Sequence, residues 1–267
     1  MFTLIILLIG VSWAGNLWTY ERSQLEEPLF LKHYMTLDGA TGEIMKLTFL
    51  ENRNSNRTVS GIRIDELPMV QFNLNEETRM KHQVIRSASA ELDPPLLRDV
   101  EGKPLSIKHI TVFFNHGEQT RVPIGDIQIV WHSKPPSLTN ATSGGSSNDG
   151  SGFDHLIVDH TAELEAITYT HNEHVRPWFE LKLNNDPVES IKFPLSVRQG
   201  DILHFTYKLT IPEDNPAAMD VLYGKALMHF KLPDGQQKIE AFHLTRDPYL
   251  SEKQIKKLVR AQRGGER

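Results

Sequence analysis

Residues 226–242 read ALMHFKLPDGQQKIEAF. Two strand-like arms flank Pro233-Asp234-Gly235, a turn with a mechanism: proline presets φ and glycine tolerates φ > 0. The same pattern lies upstream in ITVFFNHGEQTRVPI at 110–124, with Gly117 at its tip. Between the two, residues 202–209 alternate without a break. Ile202, His204, Thr206 and Lys208 stand opposite Leu203, Phe205, Tyr207 and Leu209. In the same way Phe179, Leu181 and Leu183 share a face that Glu180 and Lys182 do not, and residues 126–131 (DIQIVW) repeat the pattern. A period of two is the mark of a half-buried strand.

The halves of the chain resemble each other. Residues 43–53 (EIMKLTFLENR) and 163–173 (ELEAITYTHNE) align at an offset of 120, with Glu43/Glu163, Thr48/Thr168 and Asn52/Asn172 identical. This reads as a tandem duplication. Between the halves, residues 133–152 (SKPPSLTNATSGGSSNDGSG) are small and polar. Such a stretch has too little apolar area to offset its ordering entropy and reads as a flexible linker. The sequence therefore predicts an all-β chain. Two tandem β-sandwich domains, at 21–132 and 153–248, are joined by a linker at 133–152. Short strands separated by such turns are similar to immunoglobulin-like or fibronectin-like modules; the resemblance is one of architecture, with no motif behind it.

The ends differ from the middle. Residues 2–14 (FTLIILLIGVSWA) carry no charge and suit the apolar region of a signal peptide, with small Ser12 and Ala14 placing cleavage after Ala14. Extended to Tyr20, the segment is long enough for a membrane anchor. Trp13, Trp18 and Tyr20 then form an interfacial belt, and the domains face outward by analogy with signal anchors. Residues 1–20 are thus a signal peptide or anchor, and a buried N-terminal strand or helix is the alternative. At the other end, residues 249–267 form a short basic helix and tail. Ser251 and Gln254 make a capping box, Ile255, Leu258 and Val259 an apolar stripe, and Lys253, Lys256, Lys257 and Arg260 the rest. Its basic side chains face water or meet an anionic lipid or acidic polymer.

Composition narrows function by exclusion. The net charge of −5 lacks the basic surplus of a nucleic-acid binder. The absence of cysteine removes disulfides, thiolate metal sites and cysteine nucleophiles. No nucleophile elbow, phosphate loop, dinucleotide fingerprint or His-Glu-x-x-His is present, and adjacent carboxylates such as Glu76-Glu77 do not make a glycosidase pair. The expectation is a non-catalytic, cofactor-free, membrane-anchored extracytoplasmic protein binding another envelope protein or a cell-wall polymer. Two further possibilities stand beside it. His155, His160, His171 and His174, with Asp154 and Asp159 nearby, are imidazole and carboxylate candidates for a metal-binding envelope protein or hydrolase. Trp178 is a candidate for stacking on a sugar in a carbohydrate-binding module, or a core tryptophan.

Overall fold

The computed structural model describes residues 2–131, 137–147 and 149–264, without the side chains of residues 2–4, 6 and 175. The chain is mostly β, with a helix at each end. Helix α1 (Phe2–Arg22) leads into a first sandwich. One of its sheets runs in the order β1 (Leu29–Phe30), β3 (Ile44–Asn52), β6 (Gln83–Glu91), β5 (Asn73–Arg79). The facing layer runs β2 (His33–Asp38), β8 (Gln119–Val130), β7 (Leu105–Phe114), β4 (Val59–Arg63). Lettered along the chain, the first sheet is A-B-E-D. The second is G-F-C with a split-off piece of the first strand running parallel to G, which is the immunoglobulin strand order.

The second sandwich sets β9 (Thr139–Ser146), β10 (Ser151–Val158), β15 (Ile202–Leu209), β12 (Phe179–Leu183) and β13 (Asp186–Pro187) against a second layer. That layer holds β14 (Leu195–Val197), β11 (Ala162–Tyr169), β16 (Val221–Lys231) and β17 (Gln237–Arg246). The alternation read in residues 202–209 is realised: Leu203, Phe205, Tyr207 and Leu209 are buried while Ile202 and Lys208 are exposed. Each sandwich has its own apolar cluster. Phe30 stacks on Phe49 in the first, and Phe205 packs on Phe242 in the second, with ring centroids 4.6 and 4.7 Å apart.

Three features differ from the sequence expectation. The stretch expected to be a linker is partly sheet. Residues 139–146 are β9, paired along β10, while residues 133–136 and 148 lie outside the described residues. The small side chains have a reason other than mobility. A Cβ on Gly144 would come within 2.4 Å of Asp154 Oδ1, and one on Gly145 within 3.2 Å of Phe153 Cε1. The paired segments 43–53 and 163–173 are not structurally equivalent either. β3 lies beside β6 in the A-B-E-D sheet, whereas β11 lies beside β16 in the layer containing the late hairpin. That hairpin, β7–β8 in one half and β16–β17 in the other, does correspond, and Gly117 and Gly235 at the tips have φ of +84° and +86°.

The third difference is in how the sandwiches join. β2 pairs in parallel with β8 on one side and with β16 on the other (Val221↔His33, Leu222↔Tyr34, Tyr223↔Met35), so one sheet runs through both sandwiches. Gly125, opposite His33, has φ +99°, and a Cβ there would lie 2.5 Å from the His33 carbonyl oxygen. Only glycine lets β8 come this close to β2. His33 is fully buried, its Nε2 accepting from Thr48 N–H at 2.8 Å. Lys225 of β16 bonds Glu43 of the first sandwich at 2.8 Å with both side chains largely buried. Arg246 at the end of β17 donates to the carbonyls of Ala218 and Asp220.

Candidate functional site

The histidine candidates fall in two places. His155 on β10 meets His204 on β15 edge to face, centroids 4.2 Å apart, with Ser143 Oγ 3.2 Å from its Nδ1. His160 is exposed in the turn that follows β10. His171 and His174 sit instead at the sandwich junction. His171 has φ +53° at the start of the single helical turn α2 (Asn172–Val175), and its side chain is only 2% exposed. It meets Tyr34 edge-on while His174 stacks on the same ring at 3.9 Å. Burial pushes the His171 pKa down, against the opposing pull of a Met35 backbone contact and the Asp126 carboxylate. Among the described residues, no group of three or more His, Asp or Glu side chains is placed to hold a metal ion. Trp178 is half-buried against Leu209 and Leu222.

The larger concavity lies where the two terminal helices meet the first sandwich. The chain leaving α1 is stitched down by side chains of β3 and β6. Asn52 accepts from Leu25 N–H at 2.8 Å and donates to the Leu25 carbonyl at 2.7 Å, and Gln83 donates to the Ser23 carbonyl at 2.6 Å. From the other end comes α3 (Glu252–Gly264), started by the capping box: Ser251 N–H donates to Gln254 Oε1, and Gln254 N–H to Ser251 Oγ. Its stripe does not face water. Ile255 and Val259 are buried in the first sandwich's core, with Leu258 packed beside them. Arg263 then donates to the Gln24 and Glu21 carbonyls at the end of α1, and Gln262 to the Glu27 carbonyl. A cation on the exposed carbonyls of a helix C-terminus is favourable both as a hydrogen bond and against the helix dipole.

The cleft so formed is about 830 Å³, with Trp18, Arg22, His82, Lys256, Arg260 and Arg263 on its walls. Four basic side chains face it against two acidic ones, Glu26 and Glu252, and the Glu252 carboxylate is already used by Lys81 N–H at 2.7 Å. Among the described residues, Arg22, Lys256 and Arg260 have no carboxylate partner, and Arg22 lies over the Trp18 ring at 3.9 Å. The sequence showed the basic helix and the apolar N-terminal segment but not their meeting, because they are more than 200 residues apart. A smaller cleft of about 260 Å³, lined by Asp154, Tyr207, His243 and Thr245, opens between β10 and β17. Burial raises the Asp154 pKa to about 6, with the nearby His155 pulling the other way.

No protein-family model matches the chain, and no curated protein does. Among solved structures, similarity is found to a Porphyromonas gingivalis W83 protein of unknown function, at 11% identity over 82% of this chain and 99% of that one, TM-score 0.28. Others are the D00–D0 domain of intimin (8%, 82% and 100%, TM-score 0.24) and the fibronectin(III)-like modules of Clostridium thermocellum CbhA (8%, 84% and 93%, TM-score 0.20). These TM-scores are too low to carry an argument about function, and the class of the chain, a double immunoglobulin-like β-sandwich with helical termini, rests on its own sheets.

Proposed function

We propose that the chain is a non-catalytic, membrane-anchored extracytoplasmic protein whose second sandwich binds another envelope protein or a cell-wall polymer. The observation that carries this is α1. Leu7, Leu8, Val11, Trp13 and Leu17 are each more than half exposed, with Trp13 at 75%, so these apolar side chains are left largely uncovered by the fold. An exposed apolar surface of this extent marks an interaction site. Among the described residues no helix is long and apolar enough to cross a membrane, and the side chains at 2–4 and 6 are not among them. The uncharged part of α1, residues 2–20, is 19 of its 21 residues. At a rise of about 1.5 Å per residue it is roughly 28 Å long, close to a hydrocarbon core of about 30 Å. Trp13, Trp18 and Tyr20 fit an interfacial level near its end.

The partner-binding role falls to the second sandwich because both terminal helices belong to the first. Its edge strand β9 carries no charge and pairs only with β10 among the described residues. An uncharged edge of eight residues is a template for a partner's strand. The test is protease shaving of intact cells expressing a C-terminally tagged chain, with membrane fractionation and a photo-crosslinker at Thr142 of β9 or at Glu66 of the first sandwich. The expected result is a membrane-bound tag removed from outside and a crosslinked envelope component at Thr142 but not at Glu66. A tag released into the medium means cleavage after Ala14 and refutes the anchor. A protected, cytosolic tag refutes the whole assignment.

A further inference from the structure

We propose that the cleft between α1 and α3 seats the anionic headgroup of a membrane lipid, so that the first sandwich is held against the bilayer at a fixed attitude. The inference rests on the reading of α1 as membrane-inserted and adds a chemically defined ligand to it. Its first support is charge. Arg22, Lys256 and Arg260 face one cleft without a carboxylate partner among the described residues, although this chain has more acidic than basic side chains overall. Cations held around a common space attract an anion, and the planar guanidinium fork binds two oxygens of a phosphate ester at once.

The second support is what adjoins the cleft. Its wall includes Trp18, and from there the exposed apolar side chains Val11 and Leu7, seven and eleven residues earlier and on the same face by helical spacing, lead away along α1. A free phosphate or a soluble polyanion makes no use of that apolar track. A lipid makes use of both, with its headgroup among the cations and its acyl chains along the helix. The third support is that α3 cannot leave the position. Ile255 and Val259 are in the core, and Arg263 is bonded to the last carbonyls of α1, so the basic face stays level with the end of the apolar helix. Basic side chains near an anionic leaflet each gain about 1 kcal/mol, roughly fivefold in occupancy.

The test uses the full chain reconstituted in phosphatidylcholine vesicles. These carry a minor fraction of brominated phosphatidylglycerol or, in parallel, of brominated phosphatidylcholine, and tryptophan quenching is read. Insertion of α1 gives quenching by brominated phosphatidylcholine at the level of random mixing. A seated anionic headgroup gives several-fold excess quenching by brominated phosphatidylglycerol. In Lys256→Gln/Arg260→Gln that excess should fall to the level of random mixing while the phosphatidylcholine signal stays as it was. Equal quenching by the two lipids, or an excess unchanged in the double variant, overturns the headgroup site and leaves the anchor standing. Loss of the excess on adding inorganic phosphate also overturns it, in favour of a free anion. No quenching by either lipid overturns the site and the anchor together.

Discussion

Replacing His33 by Gln should remove a defined part of the pH dependence of stability. His33 is fully buried on β2, the strand common to both sandwiches, and burial pushes its pKa down from 6.5 to about 4. Its Nε2 accepts from Thr48 N–H, which requires the neutral ring with the proton on Nδ1. The unfolded chain takes up a proton on this ring below 6.5 and the folded chain does not until about 4. The stabilising effect of folding around the neutral ring is therefore full above 6.5 and is lost as pH falls through this window. At about 1.4 kcal/mol per tenfold, the full window is worth about 3 kcal/mol, and the part between about pH 7 and about pH 4.5 about 2.5 kcal/mol. His171 and His243, also lowered by burial, act in the same direction. Asp154, raised to about 6, acts in the opposite one: its contribution is present below 3.8 and lost as pH rises through 6. Asp154 is half solvent-exposed, so screening reduces its share below that of His33. Because these groups are common to wild type and variant, the informative quantity is the difference between them. Glutamine offers Thr48 an acceptor and does not titrate. Urea unfolding of the full chain in neutral detergent, followed by tryptophan fluorescence at the two pH values, should give a wild type that loses about 2.5 kcal/mol more than His33→Gln on acidification. Equal losses would refute the argument that His33 is held neutral by burial.

Two further perturbations probe the junction. Lys225→Met leaves Glu43 buried without its cation and should cost about 3–5 kcal/mol, most of it recovered in Lys225→Met/Glu43→Leu; denaturant midpoints of the three chains check this, and a double variant no better than the single would refute it. Gly125→Ala places a Cβ against the His33 backbone and should abolish stable folding, whereas Gly117→Ala, with a similar positive φ but open space around it, should cost only about 1–2 kcal/mol. Comparable midpoints for the two glycine variants would show that conformational strain, and not the approach of β8 to β2, dominates at Gly125.

Local signals were legible in the sequence where the determinant is local. The alternation in β15, the positive φ at Gly117 and Gly235 and the Ser251–Gln254 cap follow from residues a few positions apart, and each is found in the fold. β9 was not legible because its glycines answer to Phe153 and Asp154 on the neighbouring strand; small residues selected by a close neighbour and small residues of a mobile linker look alike in one dimension. The false equivalence of 43–53 with 163–173 has a similar origin. Two strands with one alternating pattern align at any register that matches their apolar positions, although one sits in the A-B-E-D sheet and the other beside the late hairpin. The parallel pairing of β2 with β16 has no sequence signal at all. Its partners are nearly 190 positions apart, and neither strand reads differently for having the other beside it.

That pairing decides how freely the two sandwiches can move against each other. Two sandwiches joined by a linker reorient freely and gain from engaging two sites at once. Here a backbone ladder crosses from one sandwich to the other, a buried ion pair clamps Lys225 to Glu43, and Ala218, Met219 and Val221 from the second half complete the core of the first. Domain contacts within a chain are mobile by default unless they are extensive and apolar, and this one adds shared hydrogen bonds to shared core. The direction of the β9 edge is thus fixed relative to α1. If α1 is in the bilayer and α3 lies on it, the exposed edge stands at a set angle to the membrane. A partner with a complementary strand then meets a pre-oriented template and loses less orientational freedom on binding than it would at a tethered, tumbling domain.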